Sequence, residues 1–309
     1  MNWFGVLPAM TTPFTADLAV DHEFLSRHAA WLLENGCHGL VALGSLGEGA
    51  TLEHSEKIAI LKTALKASQG KGTPVVAAIS SLSTSSAVQL AKEAEEAGCR
   101  GLMVLPPYVY TSDWREMKQH VSAVIGATRL PCMLYNNPIA YKTDFLVPQI
   151  AELAGEHENL QAVKESSADV RRVMIIREVL GDRLKIFVGV DDLLVEAVDA
   201  GATGWVAGLV NAFPRESVEL FELALSGKRK EAFELYAWFL PLLRMDTVPK
   251  FVQLIKWVQG ETGTGSAAVR PPRLELVGAE LAEAQAVLSK ALSAPPAVRS
   301  TAFRALQEA

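Results

Sequence analysis

Cysteine is scarce in this chain. Cys37, Cys99 and Cys132 are the only three in 309 residues, far apart and each in or beside an apolar context. An odd, scattered set argues against a disulfide framework and against a thiolate metal cluster, and suits small core residues in a reducing compartment. The six histidines (His22, His28, His38, His54, His120 and His157) show no metal-ligand spacing. They are expected on the surface or packed between helices, and no metal is expected. Charge of one sign is also lacking. Lys and Arg number 29 against 35 Asp and Glu, a net charge of -6. No basic block or arginine-rich helix offers nucleic acid a footprint. The apolar runs are far shorter than a membrane span. Met1 to Gly5 shows no basic region leading into a hydrophobic core, so no signal peptide is expected. A cytoplasmic globular protein is the expectation, and a 50% hydrophobic composition is enough for one large domain or a domain with an appendage.

Short apolar runs alternate with longer amphipathic segments. Strands are predicted at Gly5 to Met10, Gly39 to Leu43, Pro74 to Ile79, Gly101 to Leu105, Pro131 to Tyr135, Leu160 to Lys164, Lys185 to Val188 and Thr203 to Ala207. Several are nearly continuous in apolar or small residues, the pattern of parallel strands covered on both faces. Helices are predicted between them. Glu53 to Ala67 has an apolar face of Ile58, Leu61 and Leu65; Thr84 to Ala97 stops at Gly98; Asp169 to Leu180 starts on a capping aspartate and stops at Gly181. Eight such units suit a closed (β/α)8 TIM barrel better than an open doubly wound sheet, although counting units does not prove closure. The barrel is expected over residues 1–226. A C-terminal helical appendage follows over 227–294, with helices at Lys228 to Met245, Val248 to Gln259 and Gly278 to Leu292. Residues 295–309 read as a poorly ordered tail.

In such a barrel the C-terminal strand ends and their loops share one mouth. The first strand delivers Thr11-Thr12-Pro13-Phe14, the second Gly44-Ser45-Leu46-Gly47-Glu48-Gly49, and the fifth Tyr135-Asn136-Asn137-Pro138. Lys164-Glu165-Ser166, Gly189-Val190-Asp191-Asp192 and Ala207-Gly208 come from the sixth, seventh and eighth. Lys164, at the end of a buried strand, is the informative residue. Desolvation lowers an ammonium's pKa, and a neutral lysine amine attacks carbonyl carbon to give a Schiff base. The alternative is a strand-end lysine paired with Glu165 or extended to water. Tyr135 is either a proton-transfer group beside that amine or an aromatic filling the barrel. The glycine-rich second loop can cradle a carboxylate with backbone N–H groups and Ser45, or be an ordinary turn. Glu48 reads as a buried structural acid or a helix cap.

Gly44-Ser45-Leu46-Gly47-Glu48, Pro106-Pro107-Tyr108, Tyr135-Asn136-Asn137-Pro138 and Lys164-Glu165, in this order and separation, resemble the dihydrodipicolinate synthase / N-acetylneuraminate lyase family. The likeness runs from about Gly5 to Leu292. It implies that Lys164 is the Schiff-base lysine and Tyr135 the proton-transfer tyrosine, with Ser45 and the Leu46 backbone at the carboxylate of pyruvate or a related 2-oxo acid. The candidate substrate-binding set is thus Thr12, Gly44, Ser45, Leu46, Gly47, Tyr108, Ala207 and Gly208. No external cofactor is expected. The resemblance also implies a homotetramer of tight dimers, with the loop around Tyr108 to Tyr110 reaching a neighbour's site and the appendage helping assembly.

Three departures stand out. Leu46 replaces the family's second hydroxyl, Val109 takes the place of a relay tyrosine, and Ala140 stands where the synthases carry an arginine for the aldehyde's carboxylate. Lys142 lies near enough in sequence to replace that charge, but not its fork geometry. The resulting expectation is a Schiff-base lyase performing aldol or retro-aldol chemistry, or dehydration or deamination of a hydroxylated 2-oxo or cyclic imino acid. Condensation of pyruvate with aspartate semialdehyde is the alternative. A 2-oxo-acid-binding regulatory barrel and a phosphate-handling barrel isomerase using Gly189 and Gly208 are the remaining readings.

Overall fold

A computed structural model describes residues 1–107, 110 and 112–295. Eight short strands form its centre: β1 (Gly5–Pro8), β2 (Leu40–Ala42), β3 (Val75–Ile79), β4 (Gly101–Val104), β5 (Cys132–Asn136), β6 (Leu160–Glu165), β7 (Lys185–Val188) and β8 (Gly204–Ala207). They are buried along nearly all their length, which accounts for their continuous apolar character. All pair in parallel, in the order β1-β8-β7-β6-β5-β4-β3-β2. A bridge from Ala9 to Val41 and a 2.8 Å bond from Met10 N to Val41 O bring β1 back to β2. The sheet is therefore a nearly closed (β/α)8 barrel, not an open sheet. The strands begin and end within a residue or two of their predicted limits.

The helices are α1 (His22–Glu34), α2 (His54–Ser68), α3 (Thr84–Ala97), α4 (Trp114–Gly126), α5 (Pro138–Tyr141), α6 (Val147–Glu156), α7 (Arg171–Leu180), α8 (Leu194–Asp199), α9 (Pro214–Leu225), α10 (Arg229–Leu243), α11 (Phe251–Glu261) and α12 (Gly278–Ser293). Gly98 closes α3 in the left-handed region, at φ 104°. One cap differs from expectation. Helix α7 begins at Arg171 with Val170 as its cap, because Asp169 accepts from the Arg171 N–H and chelates the same residue's guanidinium instead. The three cysteines are free and buried, as their apolar neighbours required. His28 and His120 are buried helix residues, and His28 stacks against Phe24 and Trp31.

The barrel interior is packed. Trp3 meets Phe187 edge-on at 6.1 Å, and both rings use space left by strand glycines. A Cβ at Gly204 would lie 2.2 Å from Phe187, and one at Gly101 would lie 3.1 Å from Trp3.

The helices after α9 fold back over the C-terminal mouth. Gln259 of α11 accepts from Thr11 Oγ1 at 2.8 Å. Tyr236 of α10 donates to Glu196 Oε2 at 2.9 Å, and Arg270 holds Glu56 and the Leu18 carbonyl. Among the described residues no helix is long and apolar enough to cross a membrane. Of the expected tail over 295–309, residues 296–309 lie outside the described residues.

Candidate active site

Parallel pairing of β5 with β6 sets Tyr135 directly opposite Lys164 in the register. Residues so paired project on the same side of a sheet. The Lys164 Nζ consequently lies 4.1 Å from the centre of the Tyr135 ring. Lys164 is 6% exposed and Tyr135 5%, so both belong to the enclosed mouth. Burial lowers the Lys164 amine to about 8, against the opposing pull of the Asp246 and Asp191 carboxylates. At pH 7 that leaves about a tenth of the amine neutral, against roughly one part in a few thousand for an unperturbed lysine. Burial likewise raises the Tyr135 phenol to about 12, keeping its proton available.

Lys164 makes no ion pair with Glu165. Successive strand residues point to opposite faces, and Glu165 turns to the outer network. It accepts from Asn136 Nδ2 at 3.1 Å and from the Ser167 N–H at 2.7 Å. Asn136 also donates to Asp144, which Arg172 grips through both oxygens at 2.6 Å. This brace fixes the ends of β5 and β6, and so the Lys164–Tyr135 pair. The Tyr135 hydroxyl accepts from Asn137 Nδ2 at 2.9 Å, so the amine faces the ring while the hydroxyl points past it. Gly189, after β7, has a steric duty here. A Cβ there would lie 2.3 Å from Lys164 Cε and 2.1 Å from Ser166 Oγ.

The loop after β2 has more internal work than its glycines suggested. A Cβ at Gly49 would lie 2.2 Å from Leu43 O and one at Gly47 2.8 Å from Met10 O, whereas Gly44 has nothing closer than 3.7 Å. Gly47 and Gly49 thus permit backbone-on-backbone packing. Thr12 is committed to the same scaffold, its Oγ1 donating to Gly47 O at 2.7 Å. Glu48 is a buried structural acid in the left-handed region, φ 54°. It accepts from Lys256 Nζ at 2.8 Å and from the Arg270 N–H at 3.0 Å. Ser45 bonds Tyr141 of α5, a neighbour that strand-end listing did not reach. Leu46 is buried.

At the eighth strand, Ala207 pairs with the first through Ala9 N at 2.8 Å. Gly208 and Leu209 donate their N–H groups to Asp191, which also accepts from Trp205 Nε1 at 2.9 Å. Burial raises Asp191 to about 6 against those bonds. A further carboxyl group arrives unannounced by any barrel strand. Asp246 ends the 3-10 turn Arg244–Asp246 that links α10 to α11, and its Oδ1 would lie 2.0 Å from a Cβ at Gly208. Tyr108, Val109 and Thr111 fall outside the described residues.

Comparison with known proteins gives the family of the chain. The sequence profile described as the Dihydrodipicolinate synthetase family matches residues 2–291. This chain belongs to that family. It is 31% identical over 279 residues to the 4-hydroxy-tetrahydrodipicolinate synthase of Desulforamulus reducens, covering 90% of this chain and 94% of the relative. It is 35% identical over 232 residues to that of Natronomonas pharaonis, covering 75% and 78%. Among solved structures, the 4-hydroxy-tetrahydrodipicolinate synthase from Methylacidiphilum fumariolicum SolV superposes with a TM-score of 0.90 at 29% identity, covering 94% of this chain and 97% of the other. The dihydrodipicolinate synthase from Aquifex aeolicus gives 0.89 at 27%, covering 96% and 100%.

The turn after β5, Pro138–Tyr141, contains no arginine. Ala140 is exposed there. Lys142 is also exposed, in the left-handed region at φ 58° where it ends α5. The structure does not bring Lys142 into the buried set around Lys164.

Proposed function

We propose that this member of the dihydrodipicolinate synthetase family is a class I lyase that binds pyruvate or a related 2-oxo acid as an imine on Lys164. The observation that carries the reading is the buried, downshifted Lys164 amine held 4.1 Å over the Tyr135 ring. Neutral Nζ attacks the 2-carbonyl, and loss of water from the carbinolamine leaves a protonated imine. Tyr135 moves protons between nitrogen and the departing oxygen. The imine draws electrons from C3, so an enamine forms after C–C cleavage or after loss of a C3 proton. That enamine adds to an aldehyde, or expels a group from C4. Gly44, Ser45, Leu46 and Gly47 hold the C1 carboxylate, with Thr12, Ala207 and Gly208 shaping the walls; Tyr108, the remaining candidate, lies outside the described residues. No external cofactor enters, because the imine is itself the electron sink.

The outcome at C4 depends on the far end of the pocket. With Ala140 in place of a guanidinium, a second carboxylate loses a bidentate charge-assisted contact. We therefore assign the chain to aldol or retro-aldol chemistry, or to dehydration or deamination of a hydroxylated 2-oxo or cyclic imino acid. The names of the relatives support the second reading, condensation of pyruvate with aspartate semialdehyde. Turnover of a panel of hydroxylated 2-oxo acids and cyclic imino acids, with that pair as comparator, tests the choice. Efficient condensation of the comparator alone would overturn the assignment. The same proposal takes the protein as a cytoplasmic homotetramer, a dimer of dimers, with a catalytic barrel over 1–226 and a helical unit over 227–294. A solution mass of one 33.3 kDa chain would contradict the assembly.

A further inference from the structure

The proposed carboxylate cradle contains a hydroxyl with a fixed neighbour. In the loop after β2 the Glu48 and Gly49 N–H groups turn back to Ser45 O at 3.1 Å and Gly44 O at 3.2 Å. No described residue accepts from the N–H groups of Ser45, Leu46 or Gly47. Ser45 Oγ has one partner among the described residues, the Tyr141 hydroxyl. Tyr141 ends the single turn α5, and Asn137 ties that turn to the site. The Asn137 side chain accepts from the Ala140 N–H at 3.0 Å and donates to the Tyr135 hydroxyl at 2.9 Å. The Tyr141 ring also meets the Tyr135 ring edge-on, with centres 5.8 Å apart and planes at 87°. Lys164, Tyr135, Tyr141 and Ser45 thus form one continuous chain of contacts from the amine to the β2 loop.

We propose that Tyr141 is a positioning residue for the 2-oxo acid: by donating to Ser45 Oγ it commits the Ser45 proton to the C1 carboxylate. This rests on the imine reading above, which gives Tyr141 no part. A hydroxyl has one proton to donate and two lone pairs to accept with. The phenol is more acidic than the serine hydroxyl and is the better donor, so the bond runs from Tyr141 to Ser45. The Ser45 proton then has no acceptor among the described residues, beside three backbone N–H groups in the same condition. Together they offer a ligand donors only. That arrangement suits a carboxylate, whose oxygens only accept, and disfavours a neutral amide, whose NH2 needs an acceptor. Tyr141 acts through Ser45, so removing its hydroxyl weakens capture of the acid without slowing the chemistry at C2.

The test is a double-variant cycle on pyruvate capture. Tyr141→Phe, Ser45→Ala and the two combined are compared with the unaltered protein, with thermal melts to confirm folding. Timed borohydride trapping at increasing pyruvate gives each protein's half-saturating concentration and its limiting rate of adduct formation on Lys164. Tyr141→Phe should raise half-saturation about 10-fold, the effect of losing a hydrogen bond to a charged group, and leave the limiting rate within about twofold. Ser45→Ala should raise half-saturation at least as far. Adding Tyr141→Phe to it should change nothing more, because both losses act on one hydroxyl. In the unaltered protein, pyruvamide should need a higher concentration than pyruvate. A tyrosine that only walls the pocket predicts additive losses, and one that moves protons predicts a slower limiting rate at unchanged half-saturation. Either result, an unaltered half-saturation in either single variant, or equal trapping of pyruvamide overturns the inference and leaves the imine reading standing. Absence of any adduct in the unaltered protein overturns the lysine chemistry on which it rests.

Discussion

An amine at the end of β6 is worth its place only if its reactivity outweighs its cost to the fold. Lys164 holds a folded pKa of about 8 against 10.5 when exposed. Between those values the unfolded chain binds the extra proton, so stability rises with pH across that window. Below about pH 8 the penalty of burying the charge is present in full. Lys164→Met should therefore be more stable than the parent at pH 7, on the order of 3 kcal/mol, and the gain should vanish as pH passes 10.5. Urea unfolding at several pH values measures it; a variant less stable at pH 7 would contradict a desolvated amine. Lys164 and Tyr135 were legible in the sequence because each sits at the end of an apolar run, a local signal. Asp246 was not. It lies in a segment read as appendage helix, and only the folding back of α10 and α11 brings it to the mouth. Tyr141 escaped for a related reason. Its contact with Ser45 joins loops of two strands that are not neighbours in the barrel, a relation set by closure and invisible to periodicity.

At the scale of elements, the β2 loop keeps its shape through a buried ion pair with α11. Lys256 is 1% exposed and Glu48 0%. Lys256 Nζ also donates to Thr12 O at 2.9 Å and faces the Phe14 ring at 4.3 Å. Burial pushes the Lys256 ammonium down, while Glu48 beside it holds it up. Removing one partner of such a pair strands the other. Lys256→Ala should cost about 3 kcal/mol, the low end of the range for a broken buried pair, since the Arg270 N–H still bonds Glu48 and Arg273 stays 3.8 Å away. A shifted midpoint in urea unfolding reads this directly, and a loss below about 1 kcal/mol would mean the pair behaves like a surface contact. The glycine-rich pattern was visible in the sequence, and so was the choice between structural acid and cap at Glu48. Its partner was not, because Lys256 looks from periodicity like any helix lysine.

For the molecule as a whole, the barrel and the helices after it meet at the C-terminal mouth. The barrel supplies amine and phenol through the register of β5 against β6. The turn between α10 and α11 sets Asp246 against Gly208, and α11 braces the first two strand ends through Lys256 and Gln259. Alternation of strands and helices made the barrel readable from sequence. The covering of its mouth depends on tertiary contacts among polar groups, which leave no periodic trace. The central claim, an uncharged amine at the mouth that captures a 2-oxo acid, is tested most directly by borohydride reduction with pyruvate followed by peptide mass mapping across a pH series. The account predicts one reduced adduct, confined to Lys164, forming faster as pH rises through about 8 and absent from Lys164→Met. An adduct scattered over surface lysines, or none at Lys164 at any pH, would contradict it.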